Sequence, residues 1–456
     1  METAGATDPS GVTARIADYL ANLTYESLPP AVTATLKHLV LDTLGTALAA
    51  GTLGEGCREL VAVARAAGGI PESTVLGFGL KLPAAQAALV NGGLAHALNY
   101  DPGHLGLILP APLAAAERVG RVDGREFLAG LAGGVELAAR LARAKPAAGS
   151  ASTIILEGQL FGYFGAAAAA SRVLTLSALQ MHSALGLALM QAAGTMQVVL
   201  EGDPPAKAIY GAFANHGGML AALLAAEGLG ASCAAMEGEA GLYGIFYRDQ
   251  SAAHAVVADL GQEYELVRMS FKPWPTSGIA HPFIEAALDL ATEHNLDPAT
   301  IVEVHLRGGS QVRHWFEPED QRKRPQNAAM AANSVYYAVA KALANRRVTL
   351  ADFTAAGLAQ PDTLQLMDRM HYMVDRELGR AGVVEVVADG ERVAKRVDTP
   401  RGRSSKPLTQ DQLVDKFRDC AGYVATPIPP ANLDEVIRLV NVLEQLPDVS
   451  AIPMLL

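Results

Sequence analysis

Aromatic residues are scarce, at 5% of 456 residues, and cysteine is scarcer, with three. Cys57, Cys233 and Cys420 form an odd, widely spaced set that offers no disulfide framework and no CxxC metal pair. Such usage suits a reducing compartment, so a cytoplasmic protein is expected. Charge is also low, at 18%, while half the chain is hydrophobic, which excludes a disordered chain. Basic residues are the minority: 36 Lys and Arg face 47 Asp and Glu, for a net charge of −11. With no basic run, a nucleic-acid partner is excluded, though a local pocket for a small anion is not. Residues 1–11, METAGATDPSG, lack a positive segment and an apolar run, so no signal peptide is expected.

Chemical signatures are missing too. There is no Walker loop, no Rossmann glycine fingerprint, no HExxH, no EF-hand loop and no GxSxG elbow. What remains is acid–base chemistry with no cofactor and no metal, or binding. One uncharged stretch, residues 173–200, is long enough to span a bilayer. It carries Ser177, Gln180, His182, Ser183, Gln191, Thr195 and Gln197, and Gly186 and Gly194 break it. Polar side chains are costly in lipid, so it reads as two packed core helices with no membrane partner.

What is present is helix. Residues 1 to about 265 are rich in Ala and Leu, with few β-branched runs. Residues 32–50 place Leu36, Leu39, Val40, Leu44 and Leu48 at helical spacing, and Pro29-Pro30 opens that helix. Further helices are expected near 84–98, 109–119, 125–143, 160–174, 176–194 and 206–227. Several are apolar all round, as the central helices of a large bundle are. No internal repeat is visible.

The pattern changes near residue 266. The segment Met269-Ser-Phe-Lys-Pro-Trp-Pro275 is extended, residues 283–294 form an amphipathic helix, and residues 301–306 alternate like a strand. Residues 383–387 and 392–397 flank Asp389-Gly390, a hairpin signal. Helices are expected near 327–344, 350–357 and 361–377. Helix returns at 410–420 and 431–446, where Asn432 can cap the second. The expected architecture is mostly α with an α+β part. A discontinuous helical domain (1–267 and 405–456) carries an inserted α+β domain (268–404).

Three polar clusters stand out. In Ala95-His96-Ala97-Leu98-Asn99-Tyr100-Asp101-Pro102-Gly103-His104, His96 and Asn99 share a helix face, and Asp101 and His104 follow where the helix breaks. The same residues also make an ordinary helix-ending turn with an exposed histidine. Lys207 precedes the apolar helix that contains Asn215-His216-Gly217-Gly218. It either receives an anion at that helix start or snorkels to the surface. Lys272, Trp274, Ser277 and His281 lie in a Pro-fixed segment at the boundary of the helical stretch. A lysine and a histidine together can hold a carboxylate and move a proton. Otherwise the segment is a linker with a helix cap. Arg313, Arg322, Lys323 and Arg324 read as solvated surface, and His182 and His216 as core histidines.

In this order the clusters resemble the MmgE/PrpD family. Its members dehydrate 2-methylcitrate, decarboxylate cis-aconitate or epimerise iminodisuccinate. Leu41-Asp42-Thr43-Leu44-Gly45 looks like the family's first helix. Asn91-Gly92 and Ala95-His96-Ala97-Leu98-Asn99-Tyr100-Asp101 look like its AAxxNGxxAHALDxDD segment. Lys207 with Gly211, Lys272-Pro-Trp-Pro275 with His281, and Asn333-Ser334 with the following helix resemble later family segments. The resemblance runs from about residue 12 to the end. It implies a helical domain, an α+β lid, a homodimer and no cofactor.

The departures are specific. Asn99 stands where the family pattern has Asp, and Pro102 and Gly103 stand where it has Asp and Thr. The stretch from His104 to Pro110 is one residue short. The family's His-x-Thr is replaced by Thr153-Ile-Ile-Leu-Glu157-Gly-Gln159. Some members carry His at the position of Ser277. The resemblance implies a base, a proton donor, and cations for carboxylates and developing aci-carboxylate charge. Lys272 and Lys207 are the expected cations, His104 the expected acid or base, and Asp101 its orienting group. Asn99, Tyr100, Gln159, Trp274, Ser277 and His281 are the expected substrate contacts. Fewer charges and apolar neighbours (Leu105, Leu107, Phe161) point to a small-molecule substrate less polar than a tricarboxylate. A standard 2-methylcitrate dehydratase or cis-aconitate decarboxylase, and a binding protein that has lost catalysis, are the alternatives.

Overall fold

The computed structural model describes residues 10–146, 154–201 and 204–456, with the side chain of His104 not included. The opening segment up to residue 9 and Thr153 lie outside the described residues. The α-helices of eight residues or more are α1 (Val12–Asn22), α2 (Pro30–Leu53), α3 (Cys57–Ala67), α4 (Ala84–His96), α5 (Pro110–Val119), α6 (Gly124–Arg143), α7 (Glu157–Val173), α8 (Ala178–Gln191), α9 (Tyr210–Ala226), α10 (His281–Glu293), α11 (Val335–Asn345), α12 (Pro361–Asp368), α13 (Gln410–Ala421) and α14 (Pro430–Asn441). The strands are β1 (Ser73–Val75), β2 (Leu80–Leu82), β3 (Ile301–Gly308), β4 (Met370–Val374), β5 (Gly382–Ala388) and β6 (Glu391–Val397). The chain divides into two compact units. One is Met1–Ala97, Asp101–Met269 and Gln410–Leu456; the other is Leu98–Tyr100 and Ser270–Thr409. The protein is therefore helical with an α+β part.

The first unit is a helical bundle. Pro30 opens α2 at its first turn, where a missing N–H costs nothing, and the helix is buried continuously from Leu39 to Gly51. Asp123 caps α6 by accepting the N–H groups of Arg125 and Glu126, both at 2.9 Å. α4 and α9 meet backbone to backbone at Gly92 and Gly211. A Cβ on Gly92 would come 2.6 Å from the Gly211 carbonyl oxygen, so only glycine permits this approach. The helix α13 packs on α2, where Lys416 Nζ lies 2.6 Å from Asp42 Oδ1 in a buried ion pair.

The second unit has a four-stranded sheet of order β4-β3-β5-β6. β3 pairs in parallel with β4 and antiparallel with β5, which pairs antiparallel with β6. The β5–β6 turn is Asp389-Gly390, with φ of 52° and 77°, the double left-handed pair that a two-residue hairpin turn requires. α10 packs on β5, β6 and α11 around Phe283, Phe316 and Tyr336, which are buried.

Several expectations are corrected. The first 265 residues include the hairpin β1–β2. The stretch 173–200 yields α8 and then only the four-residue helix Gln197–Leu200, with Met190 and Leu200 exposed, so there is no second core helix. Among the described residues one helical stretch, Pro205–Ala226, is long and apolar enough to cross a membrane, and most of it is buried in the protein. Residues 327–344 are two helices, because Ser334 caps a new start at α11. The expected helix 361–377 stops at Asp368, and Met370–Val374 is instead an edge strand. Apolar periodicity does not separate the two in so short a run. Pro429, not Asn432, precedes α14; Asn432 Nδ2 donates to the Leu455 carbonyl at 3.2 Å.

Candidate active site

In the helical unit, α4 ends at His96, which is 8% exposed. Its Nδ1 lies 3.1 Å from Oδ1 of the fully buried Asp101. The His96 ring packs 4.3 Å from that of Tyr210, at the start of α9. Burial, and then the nearby Asp101 charge, push the Tyr210 phenol well above its usual pKa, so it stays protonated. His96 and Asn99 do not share a helix face, because Asn99 turns left-handed with φ 51°. Asp101 Oδ1 faces His96. The His104 side chain lies outside the described residues; its backbone is the second residue of the 3-10 turn Gly103–Ile108.

Asn215, buried on α9, pins that turn. Its Nδ2 donates to the Leu107 carbonyl at 2.6 Å, and its Oδ1 accepts from the Ala111 N–H at 3.1 Å. The sequence reading quoted Asn215 without a role; an amide inside an apolar helix was the signal. Lys207 sits in the 3-10 turn Pro205–Ile209 ahead of α9, half-buried. Gln159, in the first turn of α7, hydrogen-bonds Tyr163, which partly offsets the upward push of burial on that phenol.

In the α+β unit, Lys272 Nζ donates to Asn99 twice, at 2.7 Å to its backbone oxygen and 2.6 Å to Oδ1. Tyr100 is buried, and its hydroxyl donates to the Pro273 carbonyl at 3.2 Å. So Leu98–Tyr100 is tied to the Lys272 segment by two adjacent residues. Trp274 and His281 are each 5% exposed and pack edge to face, ring centroids 5.4 Å apart. Arg401, which the sequence reading did not single out, lies 5.3 Å over the Trp274 ring. Ser277 closes the turn before α10: its N–H donates to Ala332 and its carbonyl accepts from Ala280.

The basic cluster is solvated only in part: Arg313 and Arg324 are exposed, and the other two are not. Arg322 is buried, and Lys323 Nζ donates to the Met370 carbonyl at 2.7 Å and pairs with Glu319. Arg313 pairs with Glu317, and Arg324 with Asp368. His182 is buried, its Nε2 2.8 Å from the Cys233 carbonyl. His216 is half-buried, which lowers its pKa. Among the described residues no three His, Cys, Asp or Glu side chains are grouped to hold a metal ion.

The geometry shows two sets of polar groups, His96–Asp101–Tyr210 and Lys272–Asn99, and the segment that links α4 to α5 gives one residue to each, Asp101 and Asn99. The chain as a whole matches a known class of proteins. The MmgE/PrpD N-terminal domain profile matches residues 14–255, and the MmgE/PrpD C-terminal domain profile matches residues 274–441. The chain belongs to the MmgE/PrpD family. It is 28% identical to the cis-aconitate decarboxylase-like protein oryM of Aspergillus oryzae, over 99% of this chain and 98% of that protein. It is 25% identical to the cis-aconitate decarboxylase of Aspergillus terreus, over 100% and 98% of the two chains. It is 26% identical to the Homo sapiens cis-aconitate decarboxylase, over 92% and 89%.

Proposed function

We propose that this protein is a lyase or isomerase, independent of any cofactor, that moves a proton next to a carboxylate or carbonyl. The observation that carries the reading is the Lys272–Asn99 pair. The lysine is fixed by two oxygens of a residue that brings no negative charge. Residue 99 therefore orients the ammonium without adding a negative charge of its own. Removing a proton beside a carboxylate builds charge on its oxygens, and a preset ammonium lowers that barrier. Lys207 serves a further oxygen of the substrate. His104 exchanges the proton, since imidazole titrates near neutrality.

A substrate less polar than a citrate-like acid goes with the buried apolar side chains Leu105, Leu107 and Phe161. The decarboxylase names of the relatives support loss of carbon dioxide as one outcome. Loss of water, epimerisation and cyclisation use the same proton step. A homodimer in the cytoplasm goes with this reading, supported by the family resemblance and the cysteine usage.

Proton NMR in deuterated water tests it, with cis-aconitate, 2-methylcitrate, iminodisuccinate and a panel of monocarboxylic and dicarboxylic acids in separate tubes. The expected result is product, or deuterium on carbon, in at least one tube, and none with Lys272→Ala. Folded protein that leaves every acid unchanged overturns the reading and favours a binding protein on the same scaffold.

A further inference from the structure

The four-stranded sheet of the α+β unit turns one face of β3 to the core and the other to solvent. Val304 and Leu306 are buried, and Glu303, His305 and Arg307 alternate with them on the opposite face. β4 runs parallel to β3 in a register that sets His371 opposite His305. The two ring centroids are 5.7 Å apart, with 31° between the ring planes. His371 is exposed and His305 half-buried, so a solute reaches both rings.

Nε2 of His305 lies 3.1 Å from Glu303 Oε2. A carboxylate on one ring nitrogen fixes the ring and leaves the other, Nδ1, with its lone pair, which is the arrangement in which histidines bind metals. The arginines of this face, Arg307, Arg392 and Arg396, are each paired with an acid of their own, Asp375, Glu385 and Asp398. The charge of Glu303 is therefore left to the histidines. Metal–nitrogen bonds of about 2.1 Å put two imidazoles on one ion with their ring centres about 5–6 Å apart. The cross-strand pair already has that separation.

We propose that His305 and His371 chelate a divalent transition-metal ion, zinc or copper, across β3 and β4. Imidazole nitrogens suit these ions. Two protein ligands leave the remaining positions to water, so the ion exchanges with solution instead of being enclosed. Its effect falls on β4, a five-residue edge strand that pairs with β3 alone. A metal bridge from His371 to His305 fastens that strand through its side chains as well as its backbone. The site stands apart from the reaction proposed above and does not depend on it.

Calorimetric titration of the full chain with zinc chloride tests the site, and electron paramagnetic resonance with copper(II) counts the ligating nitrogens. Wild type is compared with His305→Gln, His371→Gln, Glu303→Gln and, as control, His294→Gln, an exposed histidine at the end of α10. Saturable zinc binding is expected, unchanged by the control, weakened roughly tenfold by Glu303→Gln and more by either site-histidine variant. The copper spectrum is expected to show two nitrogen ligands in wild type and fewer in each site-histidine variant. Zinc is also expected to slow amide hydrogen exchange in β4 of wild type, and not of His371→Gln. Absence of saturable binding, equal zinc affinity in wild type and both site-histidine variants, an equal loss in His294→Gln, or a copper spectrum that keeps two nitrogens without His371 overturns the proposal.

Discussion

Lys272 holds Asn99 by its backbone and its side chain at once, at 2.7 and 2.6 Å, and Asn99 is left-handed at φ 51°. Asparagine is among the few residues that take this conformation readily, and its amide oxygen is the acceptor. Asn99→Ala loses both, and is expected to cost about 1–3 kcal/mol of stability in urea unfolding. Asn99→Asp keeps the bond, and neutralises the lysine. It is expected to retain stability while weakening the binding of anionic substrates, read as a raised KM.

Lys272→Ala removes the cation assigned to the developing charge. A loss of roughly 10²-fold in kcat/KM is expected from a group of this kind, with the fold intact by circular dichroism. Lys272→Arg is expected to restore only part, because the planar guanidinium cannot reproduce the ammonium's position on both Asn99 oxygens.

Asp101 is fully buried and faces His96 Nδ1 at 3.1 Å. Asp101→Ala leaves the His96 ring without its orienting acceptor and opens space beside Tyr210. A loss of about 2–4 kcal/mol is expected in chemical unfolding.

His38 and His216 have pKa values lowered by burial, His38 in part restored by Gln410. As the pH falls through about 6.5 the unfolded chain takes up protons on these residues, and the folded chain does not. Their contribution to stability is therefore present above that pH and is lost below it, down to their lowered folded values. The urea midpoint is expected to fall between pH 7.5 and 5.5, and less steeply in His216→Gln.

Gly92→Ala places a methyl 2.6 Å from the Gly211 carbonyl oxygen. α4 and α9 must separate to admit it, at an expected cost of roughly 1–3 kcal/mol, visible as a lower unfolding temperature.

Much of this fold is legible in residue patterns. The Pro29-Pro30 opening, the Ala/Leu helices and the Asp389-Gly390 turn each have a local cause, and each is found where the pattern puts it. β4 escaped because Met370–Val374 follows α12 without a Gly or Pro break, and its strand character comes from pairing with the distant β3. Site residues were legible by type but not by partner. Proximity in sequence suggested His96 with Asn99, whereas His96 meets Asp101 and Asn99 meets Lys272. A left-handed residue at 99 sends neighbouring side chains to different partners, and no periodicity reports that.

The packing of α13 on α2 has a consequence for synthesis. Gly45 of α2 lies against Phe417 of α13, and Asp42 against Lys416. A ribosome completes α2 early and its covering helix almost last. Through most of translation that face of α2 is bare, with an acidic side chain whose lysine has not yet been made. The inserted α+β segment emerges whole in the interval, so the unit begun second is finished first. Closure of the bundle waits on the final stretch of the chain, and nascent protein stalled before residue 410 holds an open helical unit beside a complete α+β one.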